Sequence, residues 1–491
     1  MTPAVLRKPR VVIVGAGMSG IATAVALKEA GYDFTILEKG SEVGGVWMWN
    51  HYPGLSCDVP SQLYQYSFHI KPDWKRVYAT GPQIREYHEE VVDKFGLRPS
   101  IRFNTELTEA KFTGTTWQLR TSAGDEMEAD FLLMATGLLH HPSTPDIKGL
   151  DSFNGTALHS AQWDDSLDLT GKRVAVIGTG STGVQLVSAF QPIAAQVTQF
   201  IRSPQWVVWA PTDLRQPAWL TAIFKRYPDY NKRVYGKLMK NAAILVDITT
   251  RPSWRRSLVQ TIARWNLLLV RDPELRRKLT PDYQPLCKRQ VASGSYYRAV
   301  QKPNVEVVTD AIDSVVPEGI VTADAVTREF DVIVFATGFK AHNYMRPMNL
   351  IGRDGITIDE AWAQGPRAYR MTAIPGFPNL FTILGPNSPV GSISLQYSAE
   401  LTARYVIQWL NKFSRGEFDT VEATAAATDE FNAQVKEGLV PTVWATGCNS
   451  WYQKEDGTID LWPFDRATMK RMLTYPDPAH FTIEQSAEIE A

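Results

Sequence analysis

Two stretches of the chain alternate a short apolar run, a glycine-rich turn, a helix-forming segment and a second apolar run. The first begins at Val11, passes through G-A-G-M-S-G and an alanine-rich helix, and ends with F-T-I-L-E at Glu38. The second begins at Val174, passes through G-T-G-S-T-G and ends with V-T-Q-F-I-R at Arg202. Short apolar strands joined through a helix are typical of parallel crossover units. The pattern predicts an α/β fold with two Rossmann-like dinucleotide-binding domains.

Two further apolar strands end in the same three residues, A-T-G. One reads F-L-L-M-A-T-G and ends at Gly137, and the other reads V-I-V-F-A-T-G-F and ends at Phe339. Small residues at a strand end let the backbone approach another chain segment or a ligand. Because each A-T-G lies near the end of a dinucleotide-binding segment, we expect both to mark crossings between domains.

Residues 205–285 break this alternation. They are rich in Trp, Arg and Leu at helical spacing, and they include the basic runs R-P-S-W-R-R and R-D-P-E-L-R-R-K. The stretch predicts a helical insertion with basic outer faces. Solvation of a helix surface accounts for these arginines, and a site for an anion or a partner is the alternative.

Length and charge set the broad class of the protein. The 491 residues exceed what one hydrophobic core usually spans, so two or three domains are expected. The formal net charge of -1 supplies no global field to attract nucleic acid or an anionic membrane. No apolar run reaches the roughly 18 to 20 residues of a membrane span, and the basic N-terminus lacks a signal-peptide core. We expect a cytoplasmic protein with no membrane anchor and no nucleic-acid partner.

The three cysteines, Cys57, Cys287 and Cys448, are far apart along the chain and form no C-x-x-C pair. This spacing argues against a disulfide scaffold, a zinc site and a dithiol redox relay. Disulfide reductases also combine two dinucleotide-binding domains, but they need a redox-active cysteine pair. The cysteines therefore argue against that class of enzyme, and no metal site is expected.

The first glycine turn, from Gly15 to Gly20, has the spacing of a pyrophosphate site. Gly15 permits the tight turn, Gly17 lets a phosphate approach the backbone, and Gly20 allows close packing of helix on strand. The helix that follows supplies unpaired N–H groups and a favourable dipole. Glu38, at the end of the next strand, is placed to accept hydrogen bonds from a ribose diol. FAD is the expected occupant, because this unit is N-terminal and a second turn follows.

The second glycine turn contains Gly178, Gly180 and Gly183. Where the first unit carries an acid, this unit carries Arg202, followed by Ser203. A carboxylate would repel a 2′-phosphate, whereas a guanidinium pairs with it in a bidentate way. The turn therefore favours NADPH over NADH. An arginine that simply faces solvent at a strand end is the alternative for this position.

The segment F-N-G-T-A-L-H-S-A-Q-W-D follows the first predicted domain. It resembles the fingerprint F-x-G-x-x-x-H-x-x-x-W-[P/D] of the Baeyer–Villiger monooxygenases at every fixed position, namely Phe153, Gly155, His159, Trp163 and Asp164. Physical reasoning favours a structural hydrogen-bonding role over proton transfer for a histidine beside a tryptophan. The resemblance implies the same, because this segment is a linker in the family and its histidine affects domain motion.

A second segment carries the same resemblance. G-G-V-W-M-W-N-H-Y-P-G-L-S-C-D, from Gly44 to Asp58, is similar to the family segment that passes over the flavin. S-Q-L-Y-Q-Y-S-F, from Ser61, continues it. Composition alone would allow Trp47 and Tyr52 to be plain core aromatics.

The segment C-K-R-Q-V-A-S-G-S-Y-Y is similar to the family segment whose lysine touches NADPH and whose arginine lies over the flavin. The resemblance implies that Lys288 helps to hold NADPH, that Arg289 is the active-site cation, and that Asp58 is its acidic partner. A solvated turn is the alternative for the two basic residues. Gly294 and Ser295 stand where the family usually has an acidic or amide residue, which leaves the shape of this loop open.

The C-terminal part adds I-L-G-P-N-S-P-V-G, with Asn387, which resembles the return of the chain to the FAD domain. N-S-W-Y, with Trp451, and W-P-F-D, with Trp462, resemble the loop that folds over bound nucleotide and substrate. Burial in the core is the alternative for Trp451.

The resemblance covers nearly the whole chain and implies a set of site residues beside the catalytic pair. Those expected to bind FAD are Gly15, Gly17, Gly20, Glu38, Gly45, Val46, Trp47, Asp58, Tyr64, Thr136, Gly137 and Asn387. Those expected to bind NADP are Gly178, Thr179, Gly180, Ser181, Thr182, Gly183, Gln185, Arg202, Ser203, Lys288 and Trp451. The expected domains are 1–140 and 341–491 for FAD with the C-terminal loop region, 141–170 for the linker, and 171–340 for NADPH.

The resemblance also implies a reaction. NADPH reduces FAD, and the reduced flavin and dioxygen give a C4a-peroxyflavin that attacks a ketone to yield an ester or lactone plus water. An N- or S-oxygenating flavin monooxygenase is the alternative within the same group. A non-catalytic flavin-binding redox sensor is the alternative from another class. A monomer or a homodimer is expected.

Overall fold

A computed structural model describes residues 7–389, 394–454 and 456–485. Two five-stranded parallel sheets organise it. In spatial order, the first sheet consists of Leu380–Thr382, Phe131–Met134, Val11–Val14, Phe34–Leu37 and Ile101–Arg102. The second consists of Val305–Val308, Gln196–Phe200, Arg173–Ile177, Val332–Phe335 and Thr156–His159. The predicted α/β class with two Rossmann-like units is confirmed.

The central strands are apolar from Val11 to Val14 and from Val174 to Ile177 because they are covered on both faces. Val11 and Ile13 join the core formed with the flanking helices, whereas Val12 and Val14 join the core of an antiparallel sheet. Successive side chains of a strand point to opposite faces, so all four are buried. The strand Arg173–Ile177 divides its side chains between two cores in the same way.

Smaller sheets flank the two main ones. The antiparallel sheet on the first unit contains, in order, Asn349–Ile351, Leu107–Phe112, Trp117–Thr121 and Glu126–Ala129, with its first strand parallel to the second. The others contain Ile312–Val316, Gly319–Thr322 and Thr327–Glu329; Val207–Val208 and Val291–Ala292; and Thr420–Ala423 and Phe481–Glu484.

Helices cover the main sheets and fill the predicted insertion. The α-helices are Met18–Glu29, Val46–Trp49, Gly81–Lys94, Ser181–Phe190, Ala218–Arg226, Pro228–Thr250, Trp254–Asn266, Pro273–Lys278, Tyr296–Ala299, Ile358–Ala361, Leu395–Ser414, Ala425–Leu439 and Arg466–Met472. Four of them lie within residues 205–285, where the helical insertion was predicted. Within the described ranges, none is long and apolar enough to cross a membrane. The domain boundaries remain predictions.

The structure corrects the expectation drawn from the cysteines. Cys287 and Cys448 form a disulfide with their Cα atoms 6.0 Å apart, although 161 positions separate them in the sequence. The fold brings the two segments together, and sequence spacing carries no information about such a contact. Cys57 is free and buried. Among the described residues, no group of acidic, histidine and cysteine side chains could hold a metal ion.

Candidate active site

The first glycine turn is sterically closed around its own backbone. A Cβ atom on Gly20 would lie 1.9 Å from the carbonyl oxygen of Gly15, and one on Gly15 would lie 2.7 Å from that of Ala135. Gly15 also has a positive φ of 104°. The helix Met18–Glu29 begins at this turn without a side-chain cap, so its first N–H groups are available to a ligand.

Glu38 lies at the end of the neighbouring strand and is buried. Its two carboxylate oxygens accept hydrogen bonds from the backbone N–H groups of Ala16 at 2.6 Å and Gly40 at 2.7 Å. The predicted ribose-binding carboxylate is therefore fixed beside the first glycine turn. Its place is determined by two backbone contacts before any ligand is bound.

The Gly44–Asp58 segment lies directly against the first glycine turn. A Cβ atom on Gly45 would lie 2.9 Å from the Cα atom of Gly17. The short helix Val46–Trp49 follows, and Trp47 Nε1 donates a hydrogen bond to the Tyr64 hydroxyl at 2.9 Å. The predicted FAD-binding residues of this segment and those of the turn thus share one surface.

Both A-T-G segments lie against the first glycine of a turn. Ala135 contacts Gly15, and in the second unit a Cβ atom on Gly178 would lie 2.3 Å from the carbonyl oxygen of Ala336. The last glycine of the first A-T-G, Gly137, has a φ of 74° and open space where a Cβ would be. Thr136 precedes it. The motif therefore brings a strand end close to each predicted phosphate site, as its small residues indicate.

The second glycine turn repeats the steric pattern of the first. A Cβ atom on Gly183 would lie 2.4 Å from the carbonyl oxygen of Gly178. A Cβ atom on Gly180, in contrast, would meet no described atom within 4 Å. The helix Ser181–Phe190 begins here, again without a side-chain cap. The turn has the open approach that a pyrophosphate needs.

A cluster of cationic and hydroxyl side chains lies beside the second glycine turn. Lys288 Nζ donates a hydrogen bond to Ser203 Oγ at 3.0 Å and lies 4.5 Å from the ring centre of Tyr283. Burial lowers the pKa of Lys288, and the charge of Arg202 lowers it further, while the charge of Asp282 acts in the opposite direction. Arg202 is exposed, and Thr179 Oγ1 donates to the Ser203 carbonyl at 2.7 Å. Two cations next to each other are suited to a multiply charged phosphate.

Gln185, predicted to bind NADP, occupies a contact between the two units. The Tyr52 hydroxyl donates a hydrogen bond to Gln185 Oε1 at 2.9 Å, and Gln185 Nε2 donates to the Ser56 carbonyl at 2.8 Å. Tyr52 also lies 3.4 Å from Thr182 Oγ1. These contacts position the Gly44–Asp58 segment against the helix of the second turn. The predicted roles of Thr182 and Gln185 toward NADP remain predictions.

Arg289 forms a bidentate ion pair that joins the two units. Its Nε atom donates to Asp58 Oδ2 at 2.9 Å and its terminal nitrogen to Asp58 Oδ1 at 2.5 Å. Asp58 is 10% exposed, yet the arginine side chain keeps 39% exposure. The carboxylate raises the pKa of Arg289 well above its ordinary value, against the opposing effect of burial. Asp58, predicted as the partner, therefore binds one edge of the guanidinium, and the remainder stays accessible.

His159 of the fingerprint is a buried structural residue. Its Nδ1 atom accepts a hydrogen bond from the Ala161 N–H at 3.1 Å, so Nε2 carries the proton and donates to the Gly338 carbonyl at 3.1 Å. Burial lowers the pKa of His159, which favours this neutral form. The linker is thereby attached to the second A-T-G segment.

The other fingerprint residues have local structural contacts. A Cβ atom on Gly155 would lie 2.4 Å from the Asp331 carbonyl oxygen and 2.7 Å from the Phe153 ring. Trp163 is buried against Phe190, with ring centres 5.7 Å apart. Asp164 is exposed and accepts hydrogen bonds from the next turn of the chain. The fingerprint therefore shapes the linker.

The C-terminal part adds Asp460 and Tyr452, two residues that sequence reasoning did not single out. The Asn387 N–H donates to Asp460 Oδ1 at 2.6 Å, and Asn387 has a positive φ of 65°. Tyr452, next to Trp451, is buried with its ring 4.4 Å from the tryptophan ring. Burial raises the pKa of Tyr452, while the nearby charge of Arg289 lowers it and that of Asp58 raises it. The N-S-W-Y motif could have indicated Tyr452.

Trp462 is completely buried. Trp451 is only partly buried and packs against the same core cluster, so the structure shows both a core contact and remaining exposure. The end of the I-L-G-P-N-S-P-V-G motif, Val390 and Gly391, lies outside the described residues.

The residues present fit a dinucleotide at each turn. Both helices begin with uncapped N–H groups, and a Cβ on Gly137, Gly180 or Gly338 would meet no atom of the described part of the chain within 4 Å. The first turn has a buried carboxylate at its strand end and the second has cations. This difference matches FAD in the first site and NADPH in the second.

The chain is similar in sequence to known oxidoreductases and monooxygenases. A family model described as pyridine nucleotide-disulphide oxidoreductase matches residues 12–226. An uncharacterized monooxygenase of Mycobacterium tuberculosis is 47% identical over 99% of this chain and 98% of its own length. A Baeyer-Villiger monooxygenase of Streptomyces coelicolor is 38% identical over 97% of this chain and 93% of its own.

Solved structures extend the match to three dimensions. The crystal structure of cyclohexanone monooxygenase from Rhodococcus bound to NADP+ superposes with a TM-score of 0.87 at 28% identity. The superposition covers 98% of this chain and all of that one. Together with the Streptomyces relative, it shows that the chain belongs to the Baeyer–Villiger monooxygenases.

Proposed function

We propose that this monooxygenase binds FAD at the first glycine turn and NADPH at the second, and that it inserts one oxygen atom of dioxygen beside the carbonyl group of a ketone. The product is an ester or a lactone, and water is the second product. The Arg289–Asp58 pair carries the proposal, because it joins the two units and leaves part of a permanent cation accessible.

When bound, FAD reduced by NADPH supplies the activation of dioxygen. The protein has to hold both dinucleotides, keep water from the site and stabilise negative charge. Arg289 is suited to the last task, since a guanidinium stays charged at any relevant pH. Negative charge develops on oxygen when a carbonyl is attacked, and a fixed cation nearby stabilises it most where water is scarce.

Asp58 makes this cation tolerable and fixes its direction. An unpaired guanidinium in a partly buried site would be costly, and the bidentate contact offsets part of that cost. The charges of Arg289 and Asp58 both act on Tyr452, and the raised pKa of Tyr452 keeps its hydroxyl protonated. The site thus contains the cation of Arg289 and, on the C-terminal segment, the neutral hydroxyl of Tyr452.

The second site accounts for the choice of reductant. Lys288 and Arg202 lie together beside Ser203, at the strand end where the first unit carries Glu38. A 2′-phosphate there would receive charge-assisted hydrogen bonds. We also propose that the protein is cytoplasmic and that it is a monomer or a homodimer.

The decisive experiment compares Arg289→Ala with the parent enzyme on a panel of cyclic, linear and aromatic ketones and one sulfide, with products followed by mass. We expect the variant to consume NADPH but to form ester at least about 100-fold more slowly, as loss of a charge-stabilising donor does. Asp58→Asn should reduce ester formation as well, because the arginine loses its partner.

Arg173→Ala is the matched control. Arg173 forms a similar bidentate pair with Asp331, but it lies at the opposite end of its strand from the second glycine turn. Ester formation by Arg173→Ala should stay near that of the parent. Undiminished ester formation by Arg289→Ala would refute the catalytic assignment. Oxidation of the sulfide without any ketone product would favour the S-oxygenating alternative.

A further inference from the structure

The helix Trp254–Asn266 of the insertion carries its apolar side chains outward. Trp254, Leu258, Ile262 and Trp265 recur at intervals of four, four and three residues, which places them on one side of the helix. Their exposures are 71%, 48%, 41% and 62%. We call these four residues the outer stripe. Ordinary surface helices bury such a stripe, so its exposure calls for an explanation.

The buried side of the same helix consists of Arg256, Gln260 and Ala263, and hydrogen bonds fix its two polar residues. Arg256 is buried, and it donates hydrogen bonds to the carbonyls of Ile248 at 2.7 Å and Thr249 at 3.1 Å, at the end of the preceding helix. Gln260 donates to the Pro285 carbonyl at 3.2 Å. These contacts determine which side of the helix faces inward. Because these contacts fix the inward side of the helix, the outer stripe faces solvent.

Apolar exposure continues beyond the end of the helix. Leu268 and Leu269 are 62% and 50% exposed. Trp209, 56% exposed, donates its backbone N–H to Asn266 Oδ1 at 2.8 Å, so it lies at this end of the helix. The outer stripe thus begins and ends with a tryptophan, and Trp209 adds a third beyond its C-terminal end. Indole rings prefer the boundary between headgroups and acyl chains of a bilayer.

The helix that carries the outer stripe is basic and contains no acidic residue, and Asp282 of a neighbouring loop lies near Arg264. From Ile248 to Arg271 the sequence contains five arginines and no Asp or Glu. Arg256 is used internally, whereas Arg255, Arg264 and Arg271 are exposed. The whole chain has a formal net charge of -1, so this basic character is local. Arginines beside an apolar stripe match a surface with anionic headgroups and an apolar interior.

A second copy of the chain fits this surface less well. A two-fold contact through the outer stripe would set each arginine row against its equivalent, with no acid of the same segment to separate them. Asp272, the next acidic residue, already accepts a hydrogen bond as the cap of the following helix. Charge therefore favours a lipid surface over self-association.

We propose that the outer stripe docks on an anionic lipid bilayer, with the indole and aliphatic side chains at the headgroup boundary and the exposed arginines on lipid phosphates. Such docking needs no spanning helix. It rests on the insertion alone, and its success or failure is independent of the proposed ketone chemistry.

The test is co-sedimentation of the purified FAD-loaded enzyme with vesicles of phosphatidylcholine alone or mixed equally with phosphatidylglycerol, at low and high salt. We expect binding to the anionic vesicles that weakens with salt. The W254S/W265S double variant should bind at least about tenfold more weakly, because two interfacial anchors are lost. Tyr475→Ser removes a 74% exposed aromatic from another surface and should bind like the parent.

The contribution of the arginines to vesicle binding is tested with the double variant R255Q/R264Q. One basic side chain near an anionic surface changes binding by about fivefold, so the double variant should lose about 30-fold at low salt. K436Q/K470Q removes two exposed lysines from C-terminal helices and serves as the control for net charge. All the altered side chains are exposed, and flavin absorbance with the unfolding temperature reports that each variant is folded.

Equal binding of the parent and W254S/W265S, or no binding of the parent to anionic vesicles, would overturn the proposal. Concentration-dependent dimers that W254S/W265S abolishes, without vesicle binding, would assign the outer stripe to a second copy instead. Ketone oxidation in detergent-free buffer, measured in parallel, tests the proposed function separately.

Discussion

The two glycine turns have the same backbone geometry and opposite surroundings. In each, a Cβ on the last glycine would collide with the carbonyl of the first, and an A-T-G strand end closes on the first glycine. Around the first turn the chain folds back, since Gly45 lies against Gly17 and the carboxylate of Glu38 is bound by two backbone N–H groups. Around the second turn Gly180 is open, and Arg202 is exposed.

The difference teaches how one motif can serve two kinds of occupancy. A site whose walls come from its own chain suits a cofactor that stays through many turnovers. An open site with cationic side chains suits a cofactor that must enter and leave in every cycle. The glycines common to both turns provide the phosphate contact, and the surrounding residues determine how long the cofactor stays bound.

Gly20→Ala tests the shared geometry and has the largest expected effect. Its Cβ would lie 1.9 Å from a backbone oxygen, so the turn has to open. We expect a loss of about 3 kcal/mol or more of unfolding free energy and little bound flavin, measured by thermal unfolding and absorbance. Gly236→Ala, at an open helical position, is the control and should not destabilise. A stable, yellow Gly20→Ala protein would contradict the steric argument.

Arg202→Glu gives the second strand end the kind of charge that the first one carries. Loss of a charge-assisted contact and added repulsion should lower kcat/KM for NADPH by about 100-fold, while NADH is affected far less. Steady-state rates with both cofactors measure this. Arg277→Glu changes an exposed arginine of helix Pro273–Lys278 and is the control. An unchanged ratio of NADPH to NADH would mean that Arg202 only faces solvent.

Gly180→Ala and Gly17→Ala separate the open turn from the closed one. A Cβ at Gly180 would meet no atom of the described residues within 4 Å, so the unfolding temperature should hold while KM for NADPH rises about tenfold through a weakened phosphate contact. Ala at Gly17 would stand 3.3 Å from Gly45 and should reduce flavin content instead. Identical behaviour of the two variants would remove the distinction between the turns.

The smallest effect concerns pH. The pKa of Lys288 lies below the ordinary lysine value because of burial and Arg202, so this side chain loses its charge at a lower pH than a free lysine does. KM for NADPH should therefore rise by roughly two- to fivefold as the pH increases through that region. Lys288→Arg should flatten the profile, since arginine stays charged. A profile unaffected by this substitution would exclude Lys288 from the phosphate site.

Local patterns predicted the parts of the molecule that local rules determine. The apolar strands and the glycine turns lie where the sequence indicated, because each follows from backbone sterics within a few residues, whereas the A-T-G segments as crossings between domains remain a prediction. Asp58 as the partner of Arg289 came from the family resemblance, and the structure brings the two side chains together. The catalytic role of this pair remains a prediction.

Features that depend on distant segments could not be predicted in this way. The Cys287–Cys448 bond and the place of Tyr452 near Arg289 both require the C-terminal segment to return to the site. The outer stripe was missed for another reason. Helical periodicity shows that Trp254 and Leu258 share a side, but not whether that side faces the core, and here the buried Arg256 decides it.

The Cys287–Cys448 bond also changes how the molecule can come apart. It closes a covalent ring that contains the strands Val332–Phe335 and Leu380–Thr382, one from each main sheet. In the chain-entropy account, a ring of this size restricts the unfolded chain by about 5 kcal/mol. A molecule that opens partially keeps the residue before Lys288 and Arg289 tethered to the segment that carries Tyr452. The active site can then re-form while both of its segments stay within one covalent ring.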